Sequence, residues 1–150
     1  MPALSQNLTF KVTNGNTTTN TVQVVYPTNT SSVLTRVSEP VKGDGYFGGA
    51  DGLHTVFWKI TEFIGTLEVQ ATLSIDPAEM DWFTVKLNAT DVNYTIDTTG
   101  LITASSIEQG RYFSPTSISK SYNFIGNFVW IRGKISNWTQ GTVNVISINR

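Results

Sequence analysis

Along most of this chain apolar residues alternate with polar ones, the period of a strand with one covered face. The clearest case runs from Gly65 to Ile75. Leu67, Val69, Ala71, Leu73 and Ile75 fall on one side, and Thr66, Glu68, Gln70, Thr72 and Ser74 on the other. In residues 53–61, His54, Val56, Trp58 and Ile60 share a face. Asn7 to Thr13 alternates on Leu8, Phe10 and Val12, and Asn20 to Tyr26 on Val22, Val24 and Tyr26. Shorter strands are predicted over 32–37, 82–88 (Phe83, Val85 and Leu87 inward), 92–96, 121–125, 128–135 and 142–148. In the last of these the apolar phase switches between Val145 and Ile146, the signature of a β-bulge. No stretch keeps a helical period beyond two turns.

Turn residues divide these segments. Asn14-Gly15 and Gly126-Asn127 are hairpin signals, because such residues tolerate positive φ. Thr99-Gly100 and Trp138 to Gly141 read as turns, and 103–119 as a long loop or an edge strand. Asp76-Pro77-Ala78-Glu79 reads as one helical turn, with Asp76 as N-cap and Glu79 at N3. Residues 38–52, SEPVKGDGYFGGADG, hold five glycines and one proline, which suits a loop of unusual dihedrals. The expected division falls there: residues 1–40 as a hairpin or arm for assembly contacts, and 41–150 as the body. Short strands punctuated by turns predict an all-β fold, an antiparallel two-sheet sandwich of jelly-roll type with an N-terminal hairpin or arm.

Composition narrows the function. Hydrophobic residues reach 39% of the 150, enough for a core. Charged residues are only 14%, against roughly 25% in an average globular domain. Polarity comes instead from 22 Thr, 13 Ser and 12 Asn. A net charge of -1 leaves no basic excess to neutralise a phosphate backbone, so nucleic acid is not an expected partner. No apolar run approaches the ~20 residues of a membrane span, and MPALSQNLTF lacks the pattern of a secretory signal. Without cysteine there is no disulfide scaffold and no thiolate metal site. The six N-x-Ser/Thr sequons, at Asn7, Asn16, Asn29, Asn88, Asn93 and Asn137, follow from the abundance of Asn and Thr.

Candidate chemistry is sparse. His54 is the only imidazole; Asp51, three residues earlier, would orient it as a general base, whereas a backbone-bonded histidine at the rim of an inward face is the plainer reading. No G-x-S-x-G nucleophile motif accompanies it. Asp44 and Asp51 resemble calcium ligands, but GDGYFGGADG lacks EF-hand spacing, so no metal and no cofactor is expected. Asp76, Glu79 and Asp81 crowd one capped turn rather than facing across a cleft as glycosidase carboxylates must. The aromatic pattern is richer. In 128–135, Val129, Ile131 and Ile135 share one face, and Phe128, Trp130, Arg132 and Lys134 the other. Those four, with Gly43, Asp44, Tyr46, Phe47 and Asp51 of the glycine-rich loop, are the expected contact surface; the competing reading of 128–135 is a central strand with both faces covered within the fold. The alternative is a carbohydrate-binding module or receptor-binding tip that stacks sugars on Trp58, Trp82, Trp130 and Trp138.

Three segments together carry a family resemblance: GDGYFGGADGLHTVFW (43–58), GTLEVQATLSIDPAEMDWFTV (65–85) and YNFIGNFVWIRGKISNWTQGTVNVISIN (122–149). Their order and spacing resemble small virion structural proteins of T4-like tailed bacteriophages that infect marine cyanobacteria. The resemblance covers most of 43–149 and none of the first forty residues. It implies a non-enzymatic particle component, a repeated accessory subunit of tail or baseplate or a capsid decoration. Such a subunit assembles in the host cytoplasm and contacts other virion proteins, with a homo-oligomer in the particle. The family supplies no catalytic residues to transfer.

Overall fold

A computed structural model describes residues 5–28, 30–49, 51–87, 92–96, 98–100, 102–106 and 110–150. Among the described residues twelve strands follow in order: β1 (Ser5–Asn7), β2 (Phe10–Asn14), β3 (Thr17–Thr21), β4 (Val24–Val25), β5 (Leu34–Val37), β6 (Val41–Lys42), β7 (Leu53–Thr72), β8 (Phe83–Thr84), β9 (Val92–Ile96), β10 (Ile102–Ser106), β11 (Arg111–Ile125) and β12 (Trp130–Asn149). Every pairing between them is antiparallel, so the all-β class holds. Eight strands form one sheet along the path β1-β12-β7-β11. The short strands β4, β5 and β6 also pair with β12, and β8 pairs with β7. The β2–β3 and β9–β10 hairpins stand apart from it.

The two central strands have 20 residues each, and they make the sandwich by folding over. Gly133 and Ile146 lie on the same strand, thirteen positions apart, which is roughly 43 Å in a straight strand. Yet a Cβ on Gly133 would stand 3.4 Å from Ile146 Cδ1 and 3.0 Å from Leu8 Cδ1. The two halves of β12 therefore face each other across one core. The bend is built where β7 and β12 lose register, between Ser136 and Thr142. Glu62 (φ 50°), Asn137 (φ 51°) and Gly141 (φ 89°) take left-handed conformations there. Gln140 Nε2 donates to the Glu62 carbonyl (3.0 Å), and Trp138 Nε1 to that of Gln140 (3.0 Å). One layer thus contains the first half of β7, the second half of β12, β1 and most of β11. The other contains the remaining halves with β5, β6 and β8.

The alternating residues fill the space between the layers. Val56, Trp58, Ile60, Leu67, Val69 and Ala71 of β7 are buried, as are Ile131, Ile135, Val143, Ile146 and Ile148 of β12. The expected inward positions Leu73 and Ile75 are exposed, because β7 stops at Thr72.

Several local expectations change. The chain does not divide at residue 40: β1, β4 and β5 pair with β12, and Leu8, Phe10 and Val24 belong to the common core. Among the described strands of this first segment, only β2 and β3 lie off the main sheet. Its two-residue turn is Gly15-Asn16, so the return strand begins at Thr17 rather than Asn20. Residues 53–61 and 65–75 do not form separate strands, since β7 runs unbroken from Leu53 to Thr72; Trp138 to Gly141 likewise bends β12 without ending it. Gly126-Asn127 does not close a hairpin, since β7 lies between β11 and β12. The bulge falls between Val143 and Val145, slightly before the expected phase switch. The short 3-10 turn is Glu79–Asp81 rather than Asp76–Glu79, with Asp81 Oδ2 accepting from the Ala78 N–H at 2.8 Å. Strand 82–88 shrinks to Phe83–Thr84. Val85 and Leu87 are buried as expected, but Phe83 is exposed, because β8 pairs only with the last turn of sheet at Gln70 and Ala71. Asn88 and the sequon position Asn29 lie outside the described residues. The edge-strand reading of 103–119 holds for β11, which ends the pairing path.

Candidate interaction surface

Because the central strands fold back, both layers end at the same place. Leu53 pairs with Ile125, and Asn149 with Thr55, at the end of one layer; Thr72 and Lys42 pair with Trp130 at the end of the other. The glycine-rich loop, residues 73–82, the 126–129 connection and Arg150 gather there. Much of the exposed apolar surface is at this end: Tyr46, Phe47, Leu53, Ile75, Phe83 and Ile125 are each between 42% and 79% exposed.

The loop is held from within. Asp44–Phe47 forms a 3-10 turn closed by Gly48 in the left-handed region. Gly45 N–H donates to the Phe128 carbonyl and Gly43 N–H to that of Val129, both at 2.9 Å. Asp44 Oδ2 accepts from the Gly52 N–H (2.9 Å), while Oδ1 lies 3.7 Å from Arg150. His54 is wholly buried, with Nδ1 2.9 Å from the Gly52 carbonyl and Nε2 accepting from the Asp44 N–H at 3.2 Å. Its ring stacks on Phe124 at 5.0 Å and 6°. Burial pushes its pKa below 6.5, against the smaller opposing effects of the Gly52 carbonyl and the Asp44 carboxylate. His54 is thus the backbone-bonded histidine, and the nearby carboxylate is Asp44 rather than Asp51, which stays on the exposed side of the loop. A lone histidine three residues after an aspartate gives no sign in sequence that the aspartate ten residues back is the neighbour.

The aromatic side chains at this end are fixed by their contacts. Tyr46 packs on Trp130 (centroids 5.2 Å) and on Phe47 (5.4 Å). Lys42 Nζ sits 4.4 Å above the Tyr46 ring, and the Arg150 guanidinium 3.8 Å above Phe47. Phe83 meets Phe128 edge-on at 5.7 Å. Rings held in this way lose little freedom when a partner covers them.

The structure sorts the expected contact residues. Tyr46 and Phe47 are exposed, and Asp44 is half-buried. Gly43 is buried against Phe128, where a Cβ would collide with the carbonyl oxygen. The outward face of 128–135 is covered by the chain itself. Arg132 is 7% exposed; its Nη2 donates to Glu79 Oε1 at 2.7 Å, its Nε to Gln70 Oε1 at 2.9 Å, and its guanidinium lies 4.3 Å over Trp82. Trp130 Nε1 donates to the Ile75 carbonyl (3.0 Å), and Phe128, Trp130 and Lys134 are half-buried. The excursion 73–82 covers this face, a long-range contact that no local pattern announces. Of the sugar-stacking candidates, Trp58 and Trp138 are 1% and 2% exposed, the Arg132 guanidinium lies over Trp82, and Trp130 packs on Tyr46.

Arg132 holds Glu79's carboxyl below its ordinary range through hydrogen bonding and charge. Replacing Arg132 by Ala is expected to cost about 2 kcal/mol, from Gln70 left without its donor and Trp82 uncovered rather than from the exposed Glu79. Urea denaturation measures the loss. NMR titration of the variant should show the Glu79 carboxyl returning upward; an unmoved Glu79 would contradict the pairing.

No family model and no curated protein matches this chain. Away from the loop end, the surface has a cleft of about 690 Å³ between the β2–β3 hairpin and β4–β5. Its lining includes Phe10, Val12, Val24 and Trp138 with the cations Lys11 and Arg36, and no carboxylate among the described residues.

Proposed function

We propose that this chain is a non-enzymatic structural subunit of a tailed-phage virion, joined to its neighbours through the loop end of the sandwich. The observation that carries this reading is the group of exposed, pre-ordered rings at Tyr46 and Phe47 beside Leu53, Ile75, Phe83 and Ile125. Exposed apolar side chains with ordered aromatics are characteristic of protein–protein contact. The resemblance of 43–58, 65–85 and 122–149 to cyanophage virion proteins gives the reading its setting, as a repeated tail, baseplate or capsid-decoration subunit. Stability without disulfides would come from the buried sheet and from neighbouring subunits.

Electron cryomicroscopy of the whole particle is the direct test. The subunit should occur in several symmetry-related copies with Tyr46 and Phe47 against a neighbouring protein. The double substitution Tyr46→Ser and Phe47→Ser should leave the melting temperature within a few degrees of the parent and abolish incorporation. A loop end open to solvent in every copy, or normal incorporation of the variant, would overturn the proposal. Glycan-array binding lost in the same variant would favour the receptor-binding alternative, which would then rest on Tyr46 and Phe47 rather than on tryptophans.

A further inference from the structure

We propose that His54 is a proton-operated latch on the glycine-rich loop: the neutral ring ties Asp44 to Gly52, and the protonated ring releases them. This rests on the reading of the loop end as a docking surface and adds its regulation.

The two hydrogen bonds fix one tautomer. The Gly52 carbonyl only accepts, so Nδ1 carries the hydrogen; the Asp44 N–H only donates, so Nε2 presents its lone pair. A second proton would have to sit on Nε2, pointing at the Asp44 N–H. That bond, to the first residue of the 3-10 turn, would become a donor–donor contact. The ring is fully buried, so water does not take up the displaced hydrogen bond without movement of the loop.

The surroundings set the direction. Asp44, on the loop, favours the imidazolium, and Arg150, at the chain's end, opposes it. Neighbouring Phe124 on β11 and Phe128 in the connection to β12 bring rings without formal charge. Desolvation is the largest effect and holds the ring neutral below its ordinary 6.5. The closed loop therefore binds fewer protons than an open loop, whose histidine returns toward 6.5. Closure is at full strength above pH 6.5 and weakens as pH falls through the window between 6.5 and the depressed value.

Release would reach the docking surface directly. Asp44 anchors both Gly52 and Arg150, Arg150 covers Phe47, and Phe47 packs on Tyr46. Acid would thus loosen the Asp44–Gly52 side of the loop and the cover over Phe47, while the sheet and the Gly43 and Gly45 bonds to Val129 and Phe128 stay in place.

The test uses the isolated full chain, so it is independent of any partner. NMR would follow the His54 ring nitrogens and amide exchange, corrected for intrinsic rates, from pH 7.5 to 4. The expected result is an Nδ1–H ring at pH 7.5 that titrates below 6.5. Exchange at Asp44 and Gly52 should accelerate as pH falls through the window below 6.5, by the factor that the ring's measured depression sets, with Val56 and Leu67 unchanged. In Asp44→Asn the midpoint should fall further, because the carboxylate that favours the charge is gone. His54→Gln should abolish the transition; if that variant does not fold, the wild-type titration decides alone. Titration at or above 6.5, loop amides indifferent to the ring's charge, or loop and core amides accelerating together would each overturn the latch. Loss of incorporation by the Tyr46→Ser and Phe47→Ser variant tests docking separately and leaves this result untouched.

Discussion

Deleting residues 1–30 is expected to unfold the whole protein rather than trim an arm from it. Leu8, Phe10 and Val24 are 0%, 1% and 6% exposed, in the same core as Ile146 and Trp58. Each such burial is worth about 1.5–3 kcal/mol, so the three together approach the roughly 5–15 kcal/mol net stability of a typical domain. The deletion also removes β1 and β4 from β12, and the Leu8 N–H bond to the Ile146 carbonyl, uncovering the edge of a central strand. Circular dichroism and a thermal melt of the truncated chain should show no cooperative transition. A cooperative melt at the parent's temperature would show that these residues are dispensable to the body.

Gly141→Ala is expected to be the most damaging single methyl group in the bend. At φ 89° an L side chain is strained, and the new Cβ would collide with the Glu62 carbonyl oxygen and lie 2.5 Å from the Phe63 Cα. Both obstacles are backbone, and the Gln140 bond to Glu62 prevents the strands from parting. Strain and clash together should cost about 3 kcal/mol or more. Gly15→Ala is the control: φ is 62° there, but nothing lies within 4 Å, so only the dihedral penalty of about 1 kcal/mol remains. Chemical denaturation of the two variants separates them. Equal losses would mean that the close approach of β7 and β12 does not matter to the fold.

Part of this architecture is legible in the order of the residues. Val56, Trp58 and Ile60 are buried because alternation over 53–61 leaves them on the apolar side. The same holds for Leu67, Val69 and Ala71, since side-chain alternation is a property of the extended backbone and needs no partner to be known. The glycine-rich loop is recognisable as irregular from local composition. Alternation also separates the two faces of 130–135 correctly, although Phe128, which precedes the strand, packs against the core beside His54 and Phe124 instead of outward with Trp130; it does not reveal that the outward face is covered. Arg132 is shielded because Glu79, 53 positions away, returns across it. His54 meets Asp44 rather than Asp51 because the 3-10 turn carries Asp44's backbone to the ring, a geometry set by the loop's docking on Phe128 and Val129.

Local sequence dictates the all-β class, most inward positions and the irregular loop that bears Tyr46 and Phe47, because dihedral preference and two-residue alternation act over a few neighbours. Long-range packing alone makes two 20-residue strands fold across their own core, brings Leu8, Phe10 and Val24 in to complete that core, and collects exposed aromatics at one end. Those outcomes depend on pairings between residues up to 144 positions apart, as Ser5 with Asn149 shows. Such pairings are selected by the joint burial of many side chains, which no short stretch of the chain carries on its own.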